Sequence, residues 1–213
     1  MPENSVRAAA PTLHGWWDGS LIAQINEINV QFLEITRRRF LERNSATPAA
    51  GAAGGPSGLQ PELLSLWSAL QPVHIKALAS CPFLLMDAGF DWPDHWNRAV
   101  PLGVRDVSSR PMDAALVHRV LVLAWHLARA NPYAARVTLG LSSSCAALIA
   151  AIRLTDLERI ARSGPDWIRL RWDAQPTVWR QWLEAVTRGQ SSRLQLMQWR
   201  GFQLLAREVT AVS

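Results

Sequence analysis

A chain of 213 residues, 49% hydrophobic and 18% charged, can bury one large core or two small ones, which excludes global disorder. No apolar run reaches the ~18 residues of a membrane span, two cysteines cannot staple a disulfide framework, and no basic region followed by an apolar stretch opens the chain, so a cytoplasmic protein without a signal peptide is expected. The formal charge of +5 is unevenly placed: residues 1–107 carry 8 basic and 10 acidic side chains, while residues 108–213 carry 14 arginines and 7 acids.

Residues 1–19 read as a flexible N-terminus. Ser20 fits the N-cap of a helix to about Arg43, with Leu21, Ile25, Ile28, Phe32 and Ile35 at three- and four-residue steps. Residues 45–58, rich in Ala, Gly, Pro and Ser, read as a flexible surface loop. Helices are expected over 61–70 and 72–80, each opened by a proline. Phe83 to Met86 is short and apolar, either a strand or a buried turn. Residues 100–111 read as the link between halves. A helix then runs from Pro111 to about Ala130, and a short one ends at Gly140. Ser142 caps a helix to about Ala151, and another follows from Leu154 or Thr155 to near Ser163. Trp167 to Trp172 alternates like a strand, and helices at about 176–187 and 191–209 close the chain.

The two halves resemble each other. At an offset of 82 or 83, Ile75 meets Leu157, Leu78 meets Ile160, Phe90-Asp91 meets Trp172-Asp173, and Trp96 meets Trp179. Phe32 meets Trp125 at an offset of 93. The first half reads as the second with a loop inserted, a change whose entropic cost grows only with the logarithm of loop length. Two similar units on one chain can pack about an approximate two-fold axis, as a dimer does.

The second half also carries Leu121-Val122-Leu123-Ala124, Ala128-Arg129, Leu139-Gly140-Leu141, Leu154-Thr155, Ile160-Ala161 and Leu170-Arg171-Trp172-Asp173. This succession over residues 116–186 resembles the FlhD family of flagellar transcription regulators: an apolar helix ending in a basic residue, a Leu-Gly turn, a Leu-Thr helix start and a Phe-Arg-Phe-Asp-like element. Ile25-Asn26-Glu27-Ile28-Asn29 is similar to the start of the family's first helix. The resemblance implies a helical fold that dimerises, and a protein partner of the FlhC type with which it activates transcription. The zinc-binding cysteines of that assembly belong to FlhC, and no such cluster occurs here. The expected fold is therefore mainly α, with FlhD-like units at 20–100 and 112–213 packed as an intramolecular pseudo-dimer.

Candidate contacts follow from residue chemistry. Arg153, Arg159, Arg162, Arg169, Arg171 and Arg180, interleaved with tryptophans, suit either double-stranded DNA or cation–π surface packing. Arg169 and Arg171 are two apart on the presumed strand and so are expected to share a face. Tyr133 to Leu148 fits a helix-turn-helix or a buried helix capped by serine. Its second helix is almost wholly apolar and offers nothing to base edges, so the buried reading is the expectation. Trp92, Trp96, Trp179 and Trp182 sit at helical spacing and are expected to anchor a partner interface, with the core as the other reading. No His, Cys or carboxylate spacing suggests a metal, a cofactor or a nucleophile, so no enzyme is expected. The leading expectation is a regulator that assists DNA binding with a partner, and self-association is a further option. The alternative is a protein-interaction or assembly factor of the same fold without direct DNA contact.

Overall fold

The computed structural model describes residues 19–45, 61–99, 111–163 and 168–211. The loop expected over 45–58, apart from Ser45, the link at 100–110 and residues 1–18 lie outside these. Among the described residues the chain is mainly helical, with ten helices and one two-stranded antiparallel ribbon. The helices are α1 (Gly19–Ser45), α2 (Pro61–Ser68), α3 (Pro72–Ala79), α4 (Pro93–Ala99), α5 (Pro111–Ala130), α6 (Pro132–Leu139), α7 (Ser143–Ala151), α8 (Leu154–Ser163), α9 (Pro176–Thr187) and α10 (Ser191–Ala211). The ribbon pairs β1 (Met86–Asp87) with β2 (Arg169–Leu170). No single helix among the described residues is long and apolar enough to cross a membrane.

Local chemistry sets the helix ends. Six helices begin at proline, where the missing N–H would have lacked an intrahelical partner anyway. Asn131 caps α6 by accepting from the Ala134 N–H at 3.0 Å. Gly140 ends α6 in the left-handed region, at φ +74°. Ser142 then caps α7 by accepting from the Cys145 N–H at 3.2 Å. Two expectations are corrected. Of the strand expected over Trp167 to Trp172, Trp167 lies outside the described residues and the strand among the rest is Arg169–Leu170, because the chain turns at Arg171 and Trp172 adopts φ +57°. Residues 93–99, which carried no helix expectation, form α4.

The halves share backbone detail. In the first, Leu70 N–H donates to Trp67 O and His74 N–H to Gln71 O. In the second, Ile152 N–H donates to Ile149 O and Asp156 N–H to Arg153 O, all at an offset of 82. After the ribbon the offset becomes 83. Trp92 N–H donates to Gly89 O as Gln175 N–H does to Trp172 O, and Gly89 and Trp172 both have positive φ. Gly89, rather than Phe90, is thus the counterpart of Trp172. The packing corresponds too: α1 lies on α2 and α3 as α5 lies on α7 and α8. Across the molecule α2 packs on α9, and α4 on α7.

An aromatic chain joins the halves. Phe40 of α1 stacks on Trp67 of α2 with centroids 5.2 Å apart, and Trp67 meets Trp179 of α9 at 5.6 Å. Trp179 continues to Trp182, which meets Trp172 and Phe83. Gly201 of α10 lies over this cluster: a methyl at that position would sit 2.9 Å from Phe83 and Trp172, so the helix approaches closely only because it has glycine there.

Asn29 fixes the first half. It is fully buried; its amide donates to Phe83 O at 2.9 Å, and its Oδ1 accepts from Leu85 N–H at 2.9 Å. One side chain on α1 thereby satisfies an irregular buried segment that no ladder serves. Replacing Asn29 with Ala strands the Leu85 N–H and leaves the Phe83 carbonyl with only the weak Cys81 thiol donor. It is expected to cost about 3 kcal/mol, read as a lower urea midpoint at unchanged slope. An unchanged midpoint would remove Asn29 from this role.

Candidate functional site

The ribbon brings the most chemistry to one place. Asp87 faces Arg169 and Met86 faces Leu170. The Arg169 guanidinium pairs with Asp87 Oδ2 at 2.7 Å, and Asp87 Oδ1 accepts from Phe90 N–H at 3.2 Å. Asp87 is therefore engaged at both oxygens. Its hydrogen bond holds the Arg169 guanidinium above its ordinary pKa, offsetting the opposing effect of desolvation. Arg169 keeps an exposed edge, but its charge is locally matched.

Arg171 is elsewhere than expected. It does not share the face of Arg169, because it lies in the turn after β2 and its side chain is only 6% exposed. Its Nε donates to Leu84 O at 2.8 Å, and its Nη2 donates to Met86 O at 3.0 Å and Leu139 O at 2.6 Å. Leu139 is the last residue of α6, so the cation also meets the negative end of that helix dipole. A residue expected to touch nucleic acid is instead a clamp between the halves.

Two of the other candidate arginines are ion-paired within their own helix. Arg159 pairs with Asp156, and Arg162 with Glu158, both along α8. Arg180 is half-buried on α9. Arg153 is exposed between α7 and α8. The interface expectation is corrected for three of the four tryptophans: Trp96, Trp179 and Trp182 are buried in the core, and Trp92 alone of that set is exposed, stacked on His95. Trp96 donates through Nε1 to Gly89 O at 2.8 Å, and Trp179 donates to Arg171 O at 2.7 Å, so each ties its helix to the turn after a strand.

Helices α6 and α7 meet at 115° across a three-residue turn, a helix-turn-helix geometry. Cys145, Ala146 and Ile149 of α7 are buried, and its exposed positions are Ser143, Ser144, Ala147 and Ala151. None of these is an Arg, Lys, Asn or Gln able to read a base with two hydrogen bonds.

The residues that sequence reasoning missed lie on α10. Leu196 and Trp199 are 70% and 65% exposed, and Trp199 borders a groove of about 510 Å³ between α10 and α3. Their spacing was visible in the sequence, but an amphipathic stripe does not announce which face stays uncovered. Among the described residues no three His, Cys, Asp or Glu side chains converge as metal ligands. Both cysteines are buried, and burial pushes the Cys81 thiol up to about 12.

Two outcomes follow. Arg171→Met leaves three carbonyls without their donor and should destabilise the fold by about 3–5 kcal/mol, whereas Arg153→Ala should stay within about 0.5 kcal/mol in the same urea titration. Both thiols should resist a chromogenic thiol reagent at pH 8 until urea unfolds the chain; rapid labelling of native protein would contradict their burial. Set against known proteins, the chain matches no family model, no curated protein sequence and no solved structure.

Proposed function

We propose that the chain is an FlhD-like regulator made of two fused helical units, and that it assists DNA binding in the cytoplasm through a protein partner of the FlhC type. The pseudo-dimer reading is supported by the ribbon. At an offset of 82, Asp87 and Arg169 are equivalent positions, and they face each other in an antiparallel pair. A two-fold axis requires such self-pairing. It also requires reciprocal contacts between the units. If α2 corresponds to α7 and α4 to α9, the packing of α2 on α9 and of α4 on α7 is one contact made twice.

The observation that carries the partner-dependent reading is the fate of the arginines. Of the six candidates, Arg171 is buried against carbonyls, and Arg159, Arg162 and Arg169 are ion-paired with acids. Phosphate binding draws its strength from releasing counterions held by DNA, and a cation already matched by a carboxylate contributes less to it. Exposed apolar side chains on α10 offer instead the kind of surface a protein covers.

The test is anisotropy of a labelled mixed-sequence duplex across a salt series. The chain alone should bind weakly, with a log–log slope of magnitude below about 2. Co-expressed with an FlhC-type protein, it should co-purify with that protein and the pair should bind a promoter duplex. A slope of several units for the chain alone would assign direct DNA contact. Co-purification without any DNA binding would assign the assembly-factor alternative.

A further inference from the structure

Helix α10 is held against α3 by Gln198, which is buried and donates through Nε2 to Ala77 O at 3.1 Å and Leu78 O at 3.4 Å. Beside these bonds lies a hollow of about 510 Å³, walled by Ala77, Ser80 and Pro82 on one side and by Ser191, Gln195 and Trp199 of α10 on the other. No charged side chain lines it. Arg193 and Arg200 stand on the opposite face of α10 by helical spacing, and Lys76 is outside the lining. Trp199 is both wall and protrusion: it is 65% exposed, and Phe202 meets its ring edge-on at 6.3 Å.

Three features of this patch suit it to meet itself. The first is charge. A chain with a formal charge of +5 repels its own copies on average, and the repulsion is least where a face carries no charge. In a two-fold contact a cation would face its own image, whereas an uncharged lining brings no such opposition. The second is hydrogen bonding. Ser80, Ser191 and Gln195 are exposed, and each side chain both donates and accepts. Each can therefore pair with another copy of the same set, which a Lys or a Glu cannot do. The third is shape. A patch that pairs with itself must hold a protrusion and a recess together, and here the Trp199 indole stands at the edge of the hollow.

We propose that two copies of this chain associate about a two-fold axis through the α3–α10 groove, each Trp199 indole seated in the hollow of the other copy. The proposal goes beyond the regulator reading and does not depend on it. Two indoles of roughly 150–250 Å² each, with the hollow walls that receive them, bury about 600–1,000 Å² in all, below the ~1,200 Å² at which standard interfaces begin. The association is therefore weak and transient, with a Kd of about 10–100 µM. Having no charge at its centre, it does not weaken as salt rises, unlike a contact built on ion pairs. A nucleic acid is the poorer occupant, because the lining offers its phosphates no cation. A charged peptide is poorer for the same reason.

The test is sedimentation velocity of the full chain from about 5 to 500 µM, a range that brackets the expected Kd. The sedimentation coefficient should rise from the monomer value toward the dimer value, with a midpoint that stays put or falls when salt is raised. Trp199→Ala and Gln195→Lys should each weaken association about tenfold or more. Both side chains are exposed, so both variants should keep the wild-type urea midpoint. A mixture of Gln195→Lys and Gln195→Glu chains should associate more tightly than either variant alone, because the patch meets its own copy. A chain that stays monomeric to 500 µM, a dimer indifferent to both substitutions, a dimer that dissociates as salt rises, or a mixture no tighter than its components would overturn the proposal. If the chain alone stays monomeric and an FlhC-type protein co-purifies with the wild type but not with Trp199→Ala, the groove belongs to that partner: this proposal fails and the regulator reading stands. If the dimer behaves as expected and no FlhC-type protein co-purifies, the dimer stands and the regulator reading fails.

Discussion

A guanidinium taken out of water must recover its lost hydration from fixed dipoles, and Arg171 does so from three backbone carbonyls. Two of them, Leu84 and Met86, belong to the first half, and the third, Leu139, ends a helix of the second. The first-half segment 83–85 is buried but irregular, so its carbonyls need donors from outside the local backbone. Arg171 and Asn29 supply them from opposite sides. A lysine could not replace the arginine, because three separated acceptors need the fork of a planar guanidinium rather than a point charge. Gly140 makes the room: a methyl there would lie 2.5 Å from Arg171 Nη1. The glycine that ends α6 thus also opens space for the cation that donates to the last α6 carbonyl.

That arginine breaks the repetition of the halves. Backbone hydrogen bonds match at an offset of 82 before the ribbon and 83 after it, so the second half has one extra residue at the turn. Pairing of Asp87 with Arg169 fixes the ribbon at 82, and the left-handed residues Gly89 and Trp172 correspond at 83. The extra residue falls at Arg171. A sequence comparison that carries 82 through to Phe90 misses this by one, since apolar types on both sides of the turn match almost as well in either register.

Helix boundaries were legible because capping chemistry is local. Prolines at the start of α2, α3, α5, α6 and α9, Ser142 before α7 and Gly140 after α6 each act within a few residues. Helix α4 was not legible, since seven residues with two charges and one buried tryptophan make no periodic stripe. Burial of the tryptophans depends on what the other half places over them. Trp179 is covered by Trp67, more than a hundred residues away, and no local pattern separates such a contact from an exposed anchor. Alternation likewise set Arg169 and Arg171 on one face, an inference valid only while the strand continues. The chain leaves the strand after Leu170, and one arginine goes to solvent while the other goes inside.

The elements without a counterpart carry the asymmetry. Among the described residues the first half has no equivalent of α10, which packs on α6 of the second half. A symmetric pair of identical chains would present every surface twice. The α3–α10 groove combines a helix of the first half with a helix that has no counterpart among the described residues of that half.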